Sequence, residues 1–254
     1  MISQPFCQES SFLVRSNSTN LFVNNGKIMN INKWLSSVKG GFEEAKRQAK
    51  PVLLYFCSDT CYFCQQISMI VYRHEEVSNL IDQEFIAVQV TTEMTDVFWE
   101  YSVNCVPAWI VVDVDGFIYA RCYEYFNAEE FWAFCLLALG RFYCDQGKIE
   151  AALHHLKKLL ATHPQSPYAP EAFFLRSLCF YINTRNPQHF KDAYLEISHT
   201  HPNSIWCKRS LVLYAHPHII VDWDATRRQH CNYWDSEDAF TKCFATYFYP
   251  LMEH

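Results

Sequence analysis

The chain has 254 residues, half of them apolar, and a formal net charge of −6 from 27 acidic and 21 basic residues. That much apolar side chain fills a core and excludes a disordered chain, and with no basic stripe to neutralise a run of phosphates nucleic acid is not an expected partner. Met1-Ile2-Ser3-Gln4-Pro5-Phe6-Cys7 has neither a basic start nor an apolar run, and no stretch reaches the ~18 apolar residues of a membrane span. The expectation is a cytoplasmic protein with no membrane partner, export by another route staying open.

Residues 1–38 read as a Ser- and Asn-rich extension with one hairpin signal, Asn25-Gly26 between two apolar runs. Glu43 to Lys50 has helix-forming composition, acidic first and basic last, and Pro51 stops it. An unbroken apolar run predicts a buried strand over residues 52–57. Helices follow over about 61–72 and 74–82, a strand over 85–90 and a short helix near 95–102. Beyond Val106-Pro107 two strands, 109–112 and 117–123, flank the turn Asp113-Val114-Asp115-Gly116. This order predicts an α/β domain with a mixed sheet between helices.

Asn127, with Glu129 and Glu130 behind it, predicts a helix N-terminus. From there to about residue 215 the pattern is helical, broken near residues 145–147, 162–167, 183–187 and 201–204, which predicts helical hairpins. His163-Pro164-Gln165-Ser166 recurs as His201-Pro202-Asn203-Ser204, at a spacing in the range of helical repeats. The tail from His216 is rich in aromatics, with a helix expected from Ser236 to Phe248, and reads as a cap on the stack.

The chemistry-bearing motif is Cys61-Tyr62-Phe63-Cys64. Behind a buried strand and at the start of a helix, the first thiol meets the helix's positive end, which favours the thiolate, and the second lies one turn deeper. This is the layout thiol–disulfide exchange requires: Cys61 attacks and Cys64 resolves the mixed disulfide. No Lys, Arg or His adjoins the pair, so the thiolate is favoured only moderately, which argues for a reducing or isomerising role over an oxidising one.

Cys61-x-x-Cys64 after a buried strand, Val106-Pro107 before a later strand, and Asp115-Gly116 in the next turn together resemble the thioredoxin family over about residues 42–139. The resemblance implies that Pro107 is a cis residue beside the dithiol and that the Val106 backbone aligns an extended substrate, with Tyr62 and Phe63 on the same contact surface. Four positions depart from the family: Thr60 stands where a Trp usually precedes the first cysteine, Tyr62-Phe63 where Gly-Pro is usual, and Tyr55 where a buried acid serves the resolving thiol. Residues 137–164 resemble a tetratricopeptide repeat at Leu139-Gly140, Tyr143, Gly147, Ala152, Leu156 and Pro164, with a degenerate second hairpin over about 168–200 marked by Ala193.

The organisation expected is therefore an extension over 1–38, a thioredoxin-like domain over 39–139, and a tetratricopeptide-like helical domain over 140–254. The function expected is protein thiol–disulfide exchange, with no cofactor, using a thiol electron donor and acting on protein clients that carry disulfides or thiols. Two alternatives remain open at this point. One is a non-catalytic adaptor whose helices do the binding. The other is metal binding by Cys61 and Cys64 with Cys57 and Cys105, which are otherwise a core residue and a loop residue or auxiliary thiols. His154-His155 reads as two solvated helix positions, and His216-x-His218 with His230-Cys231 is too unspecific to name a metal site. Most of the 12 cysteines read as buried and reduced. Phe173-Phe174, Phe180-Tyr181 and Trp206 fall at helical spacing and read as core before groove.

Overall fold

The computed structural model describes residues 34–221 and the backbone of residues 23–24 and 27–28. The rest of the extension and the aromatic tail beyond residue 221, with its expected helix and the His230-Cys231 pair, lie outside the described residues. Within residues 1–31, β1 (Val23–Asn24) and β2 (Lys27–Ile28) pair antiparallel on either side of residues 25 and 26. The elements described below all lie in residues 32–254, a separate compact unit.

Helix α1 spans Val38–Gln48, five residues earlier than its charge pattern alone announces. The Ser37 hydroxyl caps it by accepting from the Gly40 amide at 3.1 Å. Gly40-Gly41 is poor helix composition, which hides this start in the sequence. Gly41 is required by packing, because a Cβ there would lie 2.3 Å from Val88 Cγ2.

Strands β3 (Val52–Cys57), β4 (Ile86–Thr91), β5 (Ala108–Val112) and β6 (Ile118–Cys122) form one sheet in the order β4-β3-β5-β6. The β3–β4 pair is parallel and the other two are antiparallel. All six residues of β3 are buried, because both faces of the sheet are covered. Val52, Leu54 and Phe56 face one layer with Ala45 of α1 and Tyr101. Leu53, Tyr55 and Cys57 face the other, shared with α2 (Tyr62–Gln66), α3 (Glu75–Glu84) and α5 (Ala128–Asp145). The short α4 (Thr95–Glu100) contributes Val97 and Phe98 to the first layer. Leu35 extends the β4 edge through hydrogen bonds with Ala87 and Gln89, so the sheet recruits residues from before position 39.

Asn127 and Glu130 close a capping box on α5. Then α6 (Ile149–Thr162), α7 (Ala169–Thr184), α8 (Gln188–Thr200) and α9 (Ile205–Ala215) pack each on the next, with α5 against α7 and α7 against α9. The α5–α6 crossing is close because residue 140 has no side chain: a Cβ would lie 2.5 Å from Leu156 Cδ2. The recurring Thr-His-Pro ends the second helix of both hairpins. His163 and His201 are the C-caps of α6 and α8, each ring bonded to the preceding threonine hydroxyl, Thr162 at 2.9 Å and Thr200 at 2.8 Å. Trp132 and Phe173, each in the second turn of its hairpin's first helix, meet these two rings.

The division expected between residues 139 and 140 falls inside α5. This helix covers the sheet and also opens the helical stack, and a single apolar core runs from Leu53 to Ile220. A buried polar group reinforces the seam: Tyr119 of β6 donates to Asp145 of α5 at 2.5 Å, and Arg141 bridges the Tyr119 carbonyl and Glu171 of α7. His155 is a correction to the sequence reading. It is 5% exposed, not solvated, because residue 155 of α6 lies against Tyr143 of α5, the two rings stacked at 5.4 Å. No described helix is long and apolar enough to cross a membrane.

Candidate redox site

Strand β3 runs out at Cys57, and Ser58-Asp59-Thr60 turns the chain into α2. The Ser58 hydroxyl takes the Thr60 amide at 3.3 Å, its carbonyl takes the Cys61 amide at 3.1 Å, and Gln65 donates back to the Asp59 carbonyl at 2.8 Å. These bonds fix Cys61 as the N-cap of α2, extended at φ −79° and ψ 112°. Its Sγ accepts from the Cys64 amide at 3.1 Å, an interaction that stabilises a thiolate at the same position.

Cys61 and Cys64 are joined as a disulfide, with their Cα atoms 5.2 Å apart. The two sulfurs differ in access: Cys64 is 3% exposed and belongs to the core, whereas Cys61 is only partly buried. Cys61 Sγ lies 3.9 Å from the carbonyl oxygen of Val106, and the Val106–Pro107 peptide is cis. Val106 is half-buried and Pro107 buried, so the backbone at 106 borders the Cys61 sulfur.

Exposed aromatic side chains surround this point. Tyr62 and Phe63 are 65% and 55% exposed and pack edge to face. Tyr125, in the loop between β6 and α5, meets Phe63 at 5.8 Å and is 44% exposed. The sequence motifs do not single out Tyr125; the signal available is an apolar residue left in a short loop ahead of the Asn127 cap. Beyond α2 the helix widens into a π turn, Ile67–Val71, in place of the α-helix expected there. Ile67 and Val71 remain buried while Met69 and Ile70 stand in solvent.

Beneath the pair, Tyr55 donates its hydroxyl proton to the Cys64 carbonyl at 3.3 Å. Its ring stacks on Trp109 and meets Trp34 and Tyr72 edge-on or nearly so, and Trp109 in turn donates to the Tyr72 hydroxyl at 2.8 Å. Burial pushes the Tyr55 phenol far above its ordinary range. It therefore stays neutral and is no base for the Cys64 thiol, where a carboxylate would have served.

Cys57 does not join the dithiol's chemistry through any bond. It is buried, accepts from the Gln89 amide at 3.1 Å, and burial raises its thiol pKa. Cys105 is exposed. The alternative in which Cys57, Cys61, Cys64 and Cys105 hold a metal ion is corrected by this geometry: among the described residues no three His, Cys, Asp or Glu side chains gather closely enough for one. Cys57 points into the sheet's core while Cys105 sits on the outer loop before the cis bond.

Residues 38–137 match the family of thioredoxin-like domains. This part of the chain is a thioredoxin-like domain. A curated relative, spermatogenesis-associated protein 20 of Rattus norvegicus, is 28% identical over 60 residues, which are 24% of this chain and 8% of that protein. The chain thus spans a small part of the relative it matches. Among solved structures, a thioredoxin from Thermus thermophilus is 23% identical over 39% of this chain and 80% of its own, with a TM-score of 0.36. The oxidised C-terminal domain of DsbD from Neisseria meningitidis is 22% identical over 39% and 92%, at 0.35. A disulphide isomerase from Xylella fastidiosa Temecula1 is 22% identical over 56% and 98%, at 0.32. These are likenesses of fold alone. The thioredoxin-like domain continues directly into a largely helical C-terminal region.

Proposed function

We propose that the protein is a thiol–disulfide oxidoreductase that reduces or isomerises disulfides in protein clients. The observation that supports this reading is the asymmetry of the Cys61–Cys64 pair: an accessible sulfur at a helix N-cap beside the Val106 carbonyl, and a buried one a turn deeper. In the reduced protein the Cys61 thiolate attacks a client disulfide, forming a Cys61–client mixed disulfide and releasing one client thiolate. Cys64 then attacks the Cys61 sulfur, which releases the second client thiolate and leaves the Cys61–Cys64 disulfide. Two electrons pass from the dithiol to the client, and a thiol electron donor restores the dithiol.

Val106 and Pro107 border the client strand in this reading, with Tyr62 and Phe63 as its apolar contact. The helical hairpins from α5 onward, the first of them similar at its key positions to a tetratricopeptide repeat, recruit the client. With Tyr55 in place of an acid, the resolving step is slow relative to attack, so mixed disulfides live long.

Insulin supplies a direct test with dithiothreitol as donor. The wild type should reduce it, Cys61→Ser should lose at least ~1000-fold of that rate, and Cys64→Ser should accumulate an insulin-chain adduct on Cys61 visible by intact mass. A wild type no faster than dithiothreitol alone, with no adduct on Cys64→Ser, would favour the adaptor reading instead.

A further inference from the structure

We propose that Cys144 and Cys179 form a second disulfide site, which cross-links the last helix of the thioredoxin-like domain to the helical stack and is distinct from the Cys61–Cys64 pair. The two residues come from α5 and α7, 35 positions apart, and their sulfurs lie 3.7 Å from one another with one thiol donating to the other. Both are almost fully enclosed, Cys144 at 3% and Cys179 at 0% exposure. A disulfide bond is ~2.05 Å long, so the sulfurs need to close by less than the width of a methyl group. α5 and α7 already pack directly on each other, so no helix has to move into reach.

The contact differs from that of the other buried thiols. Cys57 is bonded to an amide side chain, and Cys122 accepts from the Glu124 amide at 3.4 Å. Contact with Cys179, then burial, then the neighbouring Asp145 carboxylate hold the Cys144 thiol well above its ordinary range. The pair therefore rests as two thiols, and oxidation proceeds when local opening of the α5–α7 contact admits a small disulfide such as glutathione disulfide. One cysteine thiolate attacks that disulfide, giving a cysteine–glutathione mixed disulfide and one glutathione thiolate. The partner cysteine, losing its proton to water, displaces the second glutathione, leaving Cys144–Cys179. Two thiols are oxidised and one glutathione disulfide is reduced to two glutathiones.

Closing this loop removes freedom from the unfolded chain and pins the two helices together, for an expected rise in Tm of about 5–10 °C. The experiment takes the folded full-length chain carrying Cys61→Ser and Cys64→Ser, incubates it with glutathione disulfide, denatures it in N-ethylmaleimide and maps the peptides by mass. The expected product is a single peptide pair joined through Cys144 and Cys179, formed without unfolding and accompanied by the rise in Tm. Exposed Cys105 reports that the oxidant is competent by taking up glutathione. If Cys105 is fully modified while Cys144 and Cys179 return as maleimide adducts, as separate glutathione adducts, or joined to other cysteines, the proposal is overturned. Should the double variant not fold, the same peptide map on the unsubstituted chain decides between these outcomes.

Discussion

Around the dithiol, Tyr62, Phe63 and Tyr125 stand 65%, 55% and 44% exposed, whereas in the helical stack Phe174, Tyr181, Phe190 and Trp206 are at most 7% exposed. In the stack, aromatic rings fill the space between successive helices and hold them in register, as where Phe174 meets both Phe190 and Trp206. Near Cys61 they enclose little of the core, and in the proposed function they are the surface that meets the client. The same residue class thus serves cohesion in one region and, in the proposed function, recognition in the other. The cysteines divide along the same line: a partly accessible disulfide at a loop–helix junction, and a sealed thiol pair between helices.

The largest expected effect tests how the two regions are joined. His155 on α6 faces Glu84 of α3 at 3.7 Å and lies flat on Tyr143 of α5, whose hydroxyl donates to the same Glu84 carboxylate at 3.0 Å. Burial, the largest cause, pushes the His155 pKa down to about 4; His154 and Lys158 on its own helix act in the same direction and Glu84 opposes them. The unfolded chain takes up this proton near pH 6.5 and the folded one only near 4. The stabilising contribution is therefore complete above pH 6.5 and is lost as pH falls through that window, by roughly 2–3 kcal/mol at pH 4.5. Urea midpoints at pH 7 and 4.5 should show this loss in the wild type and lose most of it in His155→Phe, which keeps the ring stack. Equal pH dependence in both proteins would mean that the seam is not held by a neutral histidine.

His155 also shows what the sequence conceals. A pair of adjacent histidines on an amphipathic helix carries no mark of which one meets Tyr143 and Glu84, because the answer depends on how α6 crosses α5 and α3. The strand β3, the hairpin around Asp113–Gly116, the helix breaks and the position of Cys61 at a helix start are legible because each rests on local patterns: an unbroken apolar run, turn residues, caps. The start of α1 is hidden by Gly40-Gly41, whose value lies in the close approach to Val88, a contact between elements far apart in the chain. Residue 139 looks like a domain edge because the two family resemblances meet there, yet α5 buries one face on the sheet and another on α6. The site divides the same way. Cys61 and Cys64 are announced by the C-x-x-C motif, and Val106 and Pro107 by the family resemblance, whereas Tyr125 acquires its place only when the β6–α5 loop folds back on Phe63.

Tyr125 gives the next largest effect and bears on the recognition side of the contrast. Tyr125→Ala removes an exposed ring whose described aromatic partner is Phe63, so the fold should change little. Contact with an apolar client segment should lose about 1 kcal/mol, a roughly 5-fold fall in kcat/KM for insulin. Reduction of a small glutathione-type disulfide, which has no apolar side chain to meet the ring, should be unaffected. Equal loss on both substrates would place Tyr125 in the support of the dithiol and remove the distinction between the aromatics that bind and those that pack.

The smallest effect concerns the residue where cohesion and chemistry meet. Tyr55 belongs to the buried aromatic layer by its ring and to the redox site by one hydrogen bond to the Cys64 carbonyl. Tyr55→Phe keeps the stack on Trp109 and deletes that bond, and Ser68, which donates to the same carbonyl at 3.1 Å, remains. The carbonyl is not orphaned, so the cost to stability should be about 0.5–1 kcal/mol by urea denaturation. If the neutral phenol has no part in moving the Cys64 proton, the lifetime of the insulin adduct on Cys61 should be the same in Tyr55→Phe as in the wild type. A clearly longer-lived adduct would make the hydroxyl a proton relay, and Tyr55 would then count with the dithiol as well as with the core.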